Sequence, residues 1–174
     1  MCFLRWTSFS GWMLLSLGGG NAAFETAAQL LAYCKSVTLL NRGNIFRADE
    51  ITIEKLSQNP KLKIIKNVEM LEVLGDKFVS GMKIKHLDTN TEETLNAMGI
   101  FVEIGQHANS EFMSNFVKTD ETGKIIIDPW TQQTNLAGVW AAGDITNIRY
   151  HQNNIASGDG VKALEDIYQW LQKN

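Results

Sequence analysis

Cysteine is scarce in this chain of 174 residues, which contains only Cys2 and Cys34. The two residues lie far apart in the sequence and form no C-x-x-C pair. A disulfide framework, of the kind that stabilises small secreted proteins, is therefore excluded. Because unpaired cysteines are typical of a reducing compartment, we expect the protein to be cytoplasmic.

Histidine is scarce as well, and the chain has no excess of positive charge. The three histidines are far apart and show none of the spacings typical of metal ligands, so we expect no metal site. Lysine and arginine number 16 against 19 aspartates and glutamates, which gives a net charge of −3. A chain with this balance lacks the electrostatic attraction that favours nucleic-acid binding, and we expect no nucleic-acid partner.

Long apolar runs are absent too. Residues 12–17 form a short apolar run, whereas a helix that crosses a bilayer needs about 20 residues, so we expect no membrane span. Arg5 precedes this run, and an alternative interpretation is therefore a signal peptide. A glycine cluster follows directly, however, and it favours a buried strand that ends in a turn.

A strand, a helix and a second strand follow one another within about 30 residues. Residues 12–17 are apolar, and residues 21–34 are rich in alanine and leucine, which favour a helix. Residues 37–40 are apolar and include a valine and a threonine, which favour a strand. We therefore predict an α/β protein that contains a Rossmann-like, three-layer βαβ domain.

The glycine cluster has the pattern Gly18-x-Gly20-x-x-Ala23, which is typical of a dinucleotide-binding turn. Gly18 would permit the tight turn after the strand, and Gly20 would let a diphosphate approach the backbone. Ala23 is small enough for the helix to pack closely on the sheet. The helix would present its free N–H groups to the phosphates. The alternative is a plain glycine turn, but the flanking strands and helix favour binding.

The end of the second predicted strand indicates which dinucleotide is bound. An acidic residue there would favour NADH, but this chain has Asn41 and Arg42, with Arg47 five residues further on. Guanidinium groups bind phosphate well, so the pattern favours the 2′-phosphate of NADPH. The alternative is that both arginines are solvated loop residues.

The remaining patterns predict two regions on either side of a boundary near residues 106–112. The first region should contain a short helix at residues 49–57, capped by Asp49. It should continue with a meander of four segments and a further strand, at residues 62–66, 68–74, 78–86, 93–97 and 100–104. The second region should contain a short helix, two strands and an amphipathic helix, at residues 110–116, 125–127, 138–144 and 155–171.

Five segments, in order, resemble thioredoxin reductases and the flavoprotein subunit of alkyl hydroperoxide reductase. The first two are GGGNAAFE from Gly18, similar to GGGNSAxE, and NRGNIFRA from Asn41, similar to HRRDxFRA. The third is FVEIGQHAN from Phe101, similar to FVxIGxxPNT. AAGD at residues 141–144 and YHQ at residues 150–152 complete the set. The resemblance extends over residues 11–171.

The resemblance implies an NAD(P)H-binding domain at residues 11–106 and the C-terminal segment of an FAD-binding domain at residues 107–174, with residues 1–10 unassigned. It implies NADPH and FAD as cofactors, and NADH less so. The nicotinamide dinucleotide would be bound by Gly18, Gly19, Gly20, Asn21, Ala22, Ala23, Asn41, Arg42, Arg47, Ile104 and Gly105. The flavin would be bound by Gly143, Asp144, His151 and Gln152. No catalytic side chain is identifiable.

The implied activity passes electrons from NADPH through FAD to a disulfide, with a thioredoxin-like or peroxiredoxin-type partner. The family's first FAD segment and its C-x-x-C have no counterpart in this sequence, so we expect a truncated chain. We also expect exposed apolar surface near residues 139–142 and on the last helix. The chain would then form a homo-oligomer or need the missing FAD half. The alternatives are a non-catalytic NAD(P)-binding module and an inactive truncated product.

Overall fold

The computed structural model describes residues 6–173, which divide into two compact units, residues 6–105 and residues 106–173. Cys2 and Arg5, on which two of the sequence predictions depend, lie outside the described residues. The two units are described separately below.

The first unit is built on a four-stranded parallel sheet. Its strands lie in the order β3-β2-β1-β7, which are Leu62–Ile65, Ser36–Leu40, Met13–Leu17 and Gly99–Val102. Leu14 is opposite Val37 on one side of β1 and Gly99 on the other. The chain therefore runs outward through β1, β2 and β3 and returns to the other side of β1 as β7.

Two helices belong to this unit, α1 at Asn21–Leu31 and α2 at Glu50–Ser57. The predicted α1 extended to Cys34, but the helix ends three residues earlier. The predicted cap of α2 is confirmed, because the Asp49 carboxylate accepts a hydrogen bond of 2.8 Å from the Thr52 backbone N–H. Cys34 is buried, and this burial raises the pKa of its thiol.

Alternate side chains of the parallel sheet pack on opposite faces. Leu14 of β1 belongs to a core cluster with Phe24 and Leu30 of α1. Its neighbours Leu15 and Leu17 belong to a second cluster on the other face. Because side chains alternate along a strand, a continuous apolar run gives a sheet that is buried on both faces. The α/β class with a central parallel sheet is therefore confirmed.

An antiparallel meander covers the second face. Its strands are β4 at Val68–Gly75, β5 at Val79–His86 and β6 at Thr91–Asn96, in that order in the sheet. Met82 and Ile84 of β5 are buried in the same cluster as Leu15. Helices, parallel sheet and meander thus form the three predicted layers.

One assignment within the meander was wrong. Residues 62–66 were predicted as its first strand, but β3 pairs with β2 in the parallel sheet, with Leu62 opposite Val37 and Ile65 opposite Leu40. The pattern of β3 fits either sheet, and the short turn to Val68 resembles a hairpin connection in sequence. β3 instead pairs with the edge of β2, where Leu62 and Ile64 pack against the core cluster that contains Val37.

The cap of α2 gives a pH-dependent prediction. Hydrogen bonds from Thr52 hold the pKa of Asp49 below its ordinary value of 3.8. A depressed folded-state pKa stabilises the fold above the unfolded-state pKa, and this stabilisation is lost as the pH falls through the folded-state value. Asp49→Asn keeps a capping oxygen that does not titrate. Between about pH 7 and about pH 2.5, the melting temperature of the wild type should therefore fall further than that of the variant. Parallel pH profiles would contradict this.

The second unit has little regular sheet. Residues 125–127 and 138–144 were predicted as strands, and this prediction was wrong. They take part only in isolated bridges, for example from Ile125 to Thr119 and to Thr146. A strand needs a continuous neighbour to satisfy its backbone groups, and the described residues of this unit provide none. The helix predicted at residues 110–116 is a short 3₁₀ helix, Glu111–Met113.

The predicted C-terminal helix is present as α3, Asn153–Lys173. On one side, Asp159 and Ala163 are buried. Another side carries an apolar stripe whose four side chains are 58–63% exposed in this structure, namely Val161, Leu164, Tyr168 and Leu171. The expected exposed apolar surface is therefore found on the helix, whereas residues 139–142 are half-buried. Within residues 6–173, no helix has both the length and the apolar character needed to cross a membrane.

Candidate dinucleotide-binding site

The glycine cluster lies at the carboxyl end of β1, where the chain order of the parallel sheet reverses. The Gly18 N–H donates to the Leu40 carbonyl of β2, and the Glu103 N–H, just after β7, donates to the Leu17 carbonyl. Crevices at such a reversal point are where open α/β sheets bind ligands. The topology therefore places residues 18–20 at the expected position for a nucleotide.

Gly18 and Gly19 are required by their surroundings. Gly18 has a φ of +141°, and an added Cβ would lie 2.2 Å from the Glu103 carbonyl oxygen and 3.1 Å from the Ala23 Cβ. A Cβ on Gly19 would lie 2.4 Å from the Asn41 Oδ1. The protein's own atoms therefore occupy the space that a side chain at either position would need.

Gly20 differs from its two neighbours. Its φ of −99° and ψ of 179° suit any residue, and an added Cβ would meet no heavy atom within 4 Å. Gly20 is the cap residue of α1, and no side chain accepts a hydrogen bond there. A helix N-terminus with free N–H groups and open space in front of it can bind a diphosphate. This open space is what the predicted role of Gly20 needs.

The other fingerprint residues fix the start of α1. Ala23 is fully buried, and its carbonyl accepts a hydrogen bond of 3.1 Å from the Ser16 hydroxyl of β1. The Asn21 Oδ1 accepts one of 2.9 Å from the Asp49 N–H, which ties α1 to the cap of α2. Ala22 is exposed beside them. These contacts give Ala23 and Asn21 structural roles, while any contact of these residues with a nucleotide stays a prediction.

Residues 42–47, here called the arginine loop, are tied to the glycine cluster. The Arg47 N–H donates to the Gly19 carbonyl at 2.7 Å. Arg42 and Arg47 are both exposed, and within the described residues neither has a carboxylate within 4.0 Å. The loop that is bonded to the glycine cluster therefore carries two exposed guanidinium groups.

Asn41 lies behind this loop, with only 8% of its surface exposed. Its Nδ2 donates to the carbonyls of Gly43 and Ile45, at 2.8 and 3.2 Å. The side chain that was predicted to bind the cofactor is thus turned toward the protein backbone.

The opposite edge of the crevice is formed by residues 103–105. The Glu103 carboxylate accepts a hydrogen bond of 2.9 Å from the Thr26 hydroxyl of α1. Ile104 is 65% exposed, and Gly105 has a φ of +105° with open space around it. The predicted nicotinamide edge is therefore accessible. The bond between Thr26 and Glu103 had no sequence signal, because 77 residues separate the two.

The second unit brings three of its four predicted flavin residues together. The Asp144 Oδ1 lies 3.6 Å from the His151 Nδ1, and Gly143 is next to Asp144 with a φ of +78°. The Gln152 carbonyl accepts a hydrogen bond of 2.9 Å from the Ala156 N–H at the start of α3, and its side chain is exposed. Lys124, which was not predicted, lies 2.8 Å from the His151 Nε2.

His151 lies between Lys124 and Asp144. Because an ammonium group can only donate, the Nε2 of His151 accepts from Lys124, while its Nδ1 lies 3.6 Å from the Asp144 Oδ1. Lys124 and Asp144 also line a cleft of about 370 Å³ with Gln106, His107, Ala108, Asn109 and Ile145. The unit thus places a carboxylate and an ammonium group at one cleft.

Most of the chain matches one protein family. A family model described as "Pyridine nucleotide-disulphide oxidoreductase" matches residues 12–160. The chain belongs to this family.

Relatives in the pyridine nucleotide-disulphide oxidoreductase family confirm the predicted resemblance. A thioredoxin reductase of Dictyostelium discoideum is 37% identical over 158 residues, which are 91% of this chain and 50% of that protein. A component of the alkyl hydroperoxide reductase of Staphylococcus epidermidis is 32% identical over 158 residues, 91% of this chain and 31% of that protein. The chain therefore spans half or less of the length of these relatives.

Solved structures also match nearly all of this chain with about half of their own length. The thioredoxin reductase of Lactococcus lactis has a TM-score of 0.77 at 30% identity, covering 98% of this chain and 56% of that one. The thioredoxin reductase of T. acidophilum has a TM-score of 0.75 at 30% identity, covering 95% of this chain and 54% of that one. The Rossmann-like fold class predicted from the sequence is confirmed by these neighbours.

Proposed function

We propose that the first unit binds NADPH, as the nicotinamide-dinucleotide part of a thioredoxin-reductase-like disulfide oxidoreductase. The observation that carries this proposal is the bond between the Arg47 N–H and the Gly19 carbonyl. It brings an open helix N-terminus at Gly20 together with a loop that carries two exposed guanidinium groups. The helix end suits a diphosphate, and the guanidinium groups suit a 2′-phosphate. Ile104 and Gly105 would border the nicotinamide.

The second unit is proposed to be the C-terminal part of an FAD-binding domain. Its exposed Asp144 carboxylate can accept hydrogen bonds from sugar hydroxyls, and His151 and Gln152 lie close in sequence to the start of α3. A bound flavin would accept hydride and pass electrons on, while these residues would only hold and orient it. The lengths of the relatives and the apolar stripe of α3 both support a domain completed by a further segment. A second copy of the chain is the other candidate to cover the stripe.

Reduction of a disulfide would need a dithiol supplied from outside this sequence. The chain contains no C-x-x-C, and the thiol of Cys34 is buried with a raised pKa, so it is a poor nucleophile. Thioredoxin-like and peroxiredoxin-type proteins are the proposed electron acceptors. A non-catalytic NADPH-binding module is a second candidate function, because the open helix N-terminus at Gly20 and the arginine loop need no dithiol to bind a nucleotide.

Thermal unfolding with added nucleotide tests the first proposal. A ligand at about 100 times its Kd stabilises the folded state by about 2.7 kcal/mol. For a chain of this size, the melting temperature should rise by roughly 5–10 °C with NADPH, and by much less with NADH at the same concentration. Equal rises would contradict the role of the arginine loop, and no rise with either nucleotide would contradict the site.

Flavin binding separates the two candidate functions. The chain is mixed with FAD, alone and together with a separately produced N-terminal FAD segment of a thioredoxin reductase. A change in FAD fluorescence that requires the added segment would support a two-part FAD domain. NADPH binding without any flavin uptake in either mixture would favour the non-catalytic module.

A further inference from the structure

Asn41 occupies the point where the glycine cluster and the arginine loop meet. It follows β2 directly, its N–H donates to the Ile65 carbonyl at 2.9 Å, and its carbonyl accepts from the Val68 N–H at 3.2 Å. These two backbone bonds anchor Asn41 between β3 and β4. Its side chain, in contrast, reaches forward to residues that belong to no regular element.

The amide group of Asn41 lies between the two parts of the site. Its Nδ2 supplies two hydrogen bonds to the arginine loop, at the carbonyls of Gly43 and Ile45. Its Oδ1 lies on the other side, where it would be 2.4 Å from a Cβ on Gly19. The two carbonyl acceptors decide the orientation of the amide. If Oδ1 stood where Nδ2 stands, it would face two carbonyl oxygens and could accept from neither.

We propose that Asn41 is a positioning residue that determines the preference for a phosphorylated over a non-phosphorylated nucleotide. This inference rests on the proposed NADPH function. Asn41 itself is turned away from the open crevice, so it acts through the backbone that carries Arg42 and Arg47. The amide orders that backbone through the Gly43 and Ile45 carbonyls, and the Arg47 N–H bonds the same loop to Gly19. The guanidinium groups can then meet a 2′-phosphate while the diphosphate lies at Gly20.

The physical reason is the entropy of the loop. Residues 42–47 lie outside helices and strands, so their backbone must be ordered by individual hydrogen bonds. Ordering the backbone of one residue costs about 1–2 kcal/mol. Without the Asn41 amide, a nucleotide would have to order the loop itself, and its phosphate contacts would be weakened. A nucleotide without the 2′-phosphate makes no use of the loop and should be little affected.

The test measures the Kd of 2′,5′-ADP and of 5′-AMP by calorimetry for the wild type and for Asn41→Ala, in the full chain. We expect the Kd of 2′,5′-ADP to rise about tenfold, as for the loss of one or two neutral hydrogen bonds, and the Kd of 5′-AMP to change less than about threefold. Hydrogen exchange without nucleotide gives a second readout. The Arg47 amide, which is bonded to Gly19, should exchange faster in the variant.

A second variant, Asn41→Asp, distinguishes loss of the N–H donors from loss of side-chain volume. It keeps the volume of the side chain but replaces both N–H donors and adds a negative charge. Both variants should lose the preference for 2′,5′-ADP. If Asn41→Ala folds and keeps the preference, a loss confined to Asn41→Asp would show only charge repulsion and would overturn the inference. If Asn41→Ala unfolds, the neutral Asn41→Leu, which has neither donor nor charge, takes its place and should lose the preference.

Asn59→Ala is the matched control. The Asn59 side chain also organises a loop, by accepting a hydrogen bond of 3.0 Å from the Lys61 N–H, but it lies before β3, at the amino end of the sheet. It should leave both affinities unchanged.

The remaining outcomes distinguish this inference from the proposed function. A wild type that prefers 2′,5′-ADP, with an Asn41→Ala variant that keeps the same preference, would overturn the inference alone. Equal losses for both nucleotides would assign Asn41 a general structural role and overturn it as well. A wild type that binds neither nucleotide, or both equally, would overturn the proposed NADPH function and the inference with it.

Discussion

Gly18→Ala is expected to destabilise the first unit severely, whereas Gly20→Ala should keep the fold and lose the nucleotide. At Gly18 the added methyl would lie 2.2 Å from a backbone oxygen, at a φ of +141° that alanine rarely adopts. The Glu103 N–H is bonded to the Leu17 carbonyl of β1, which restrains the backbone that carries this oxygen. This clash and the backbone strain together should lower the free energy of unfolding by more than about 3 kcal/mol.

Gly20→Ala is the matched comparison two residues away. Its backbone suits alanine and nothing lies within 4 Å of the new methyl, so the melting temperature should stay near that of the wild type. The methyl would stand where the proposed diphosphate approaches the start of α1. One lost charge-assisted hydrogen bond is worth about 1.5–3 kcal/mol, so the Kd of NADPH should rise at least about tenfold.

Thermal unfolding and calorimetry of the two variants check this pair of expectations. A Gly18→Ala variant as stable as the wild type would show that the turn has another conformation. A Gly20→Ala variant that binds NADPH normally would place the diphosphate elsewhere and contradict the proposed site.

Loss of both arginines should remove the preference for the 2′-phosphate. Arg42→Ala and Arg47→Ala should each raise the Kd of 2′,5′-ADP about tenfold, and the double variant about a hundredfold, since hydrogen bonds to charged groups contribute about 1.5–3 kcal/mol and both side chains are exposed to solvent. The Kd of 5′-AMP should be nearly unchanged. Because the contacts are exposed, the wild-type affinity for 2′,5′-ADP should also weaken as salt is added.

A control for this series is Arg149→Ala, which removes an exposed arginine from the second unit. It lowers the net charge equally but lies outside the arginine loop. If it weakened 2′,5′-ADP binding as much as Arg42→Ala, the effect would be one of overall charge. If neither loop variant changed the affinity, the arginines would be solvated loop residues, in line with the alternative interpretation of this segment.

The fingerprint and the βαβ unit were predictable because their signals are local. Each of the three elements is predicted by the spacing and type of its own side chains. These elements are the apolar run of residues 12–17, the alanine-rich helix and residues 37–40. Gly18 marks the turn between β1 and α1, because its φ of +141° is one that other residues rarely adopt. The cap at Asp49 was equally local, as its partner Thr52 is three residues away.

The failures have a different origin. The strand of residues 62–65 was assigned to the wrong sheet, because strand pattern does not name the partner strand. Residues 125–127 and 138–144 have strand-like composition but no continuous neighbour within the described part of their unit. Strand propensity indicates that a segment can form a strand, but the strand forms only when a neighbouring strand satisfies its backbone hydrogen bonds.

The sequence by itself determined the α/β class, the order of the glycine cluster and the arginine loop, and the family, since these depend on local periodicity and on short motifs. Only the tertiary structure decided which residues of those motifs face the crevice. It filled the space for a side chain at Gly18 and Gly19 with other protein atoms and left the space at Gly20 empty. It turned Asn41 inward and brought Lys124 to His151 across 27 positions. The physical reason is that these contacts join residues distant in sequence, whose separation in space is set by the packing of whole sheets and helices.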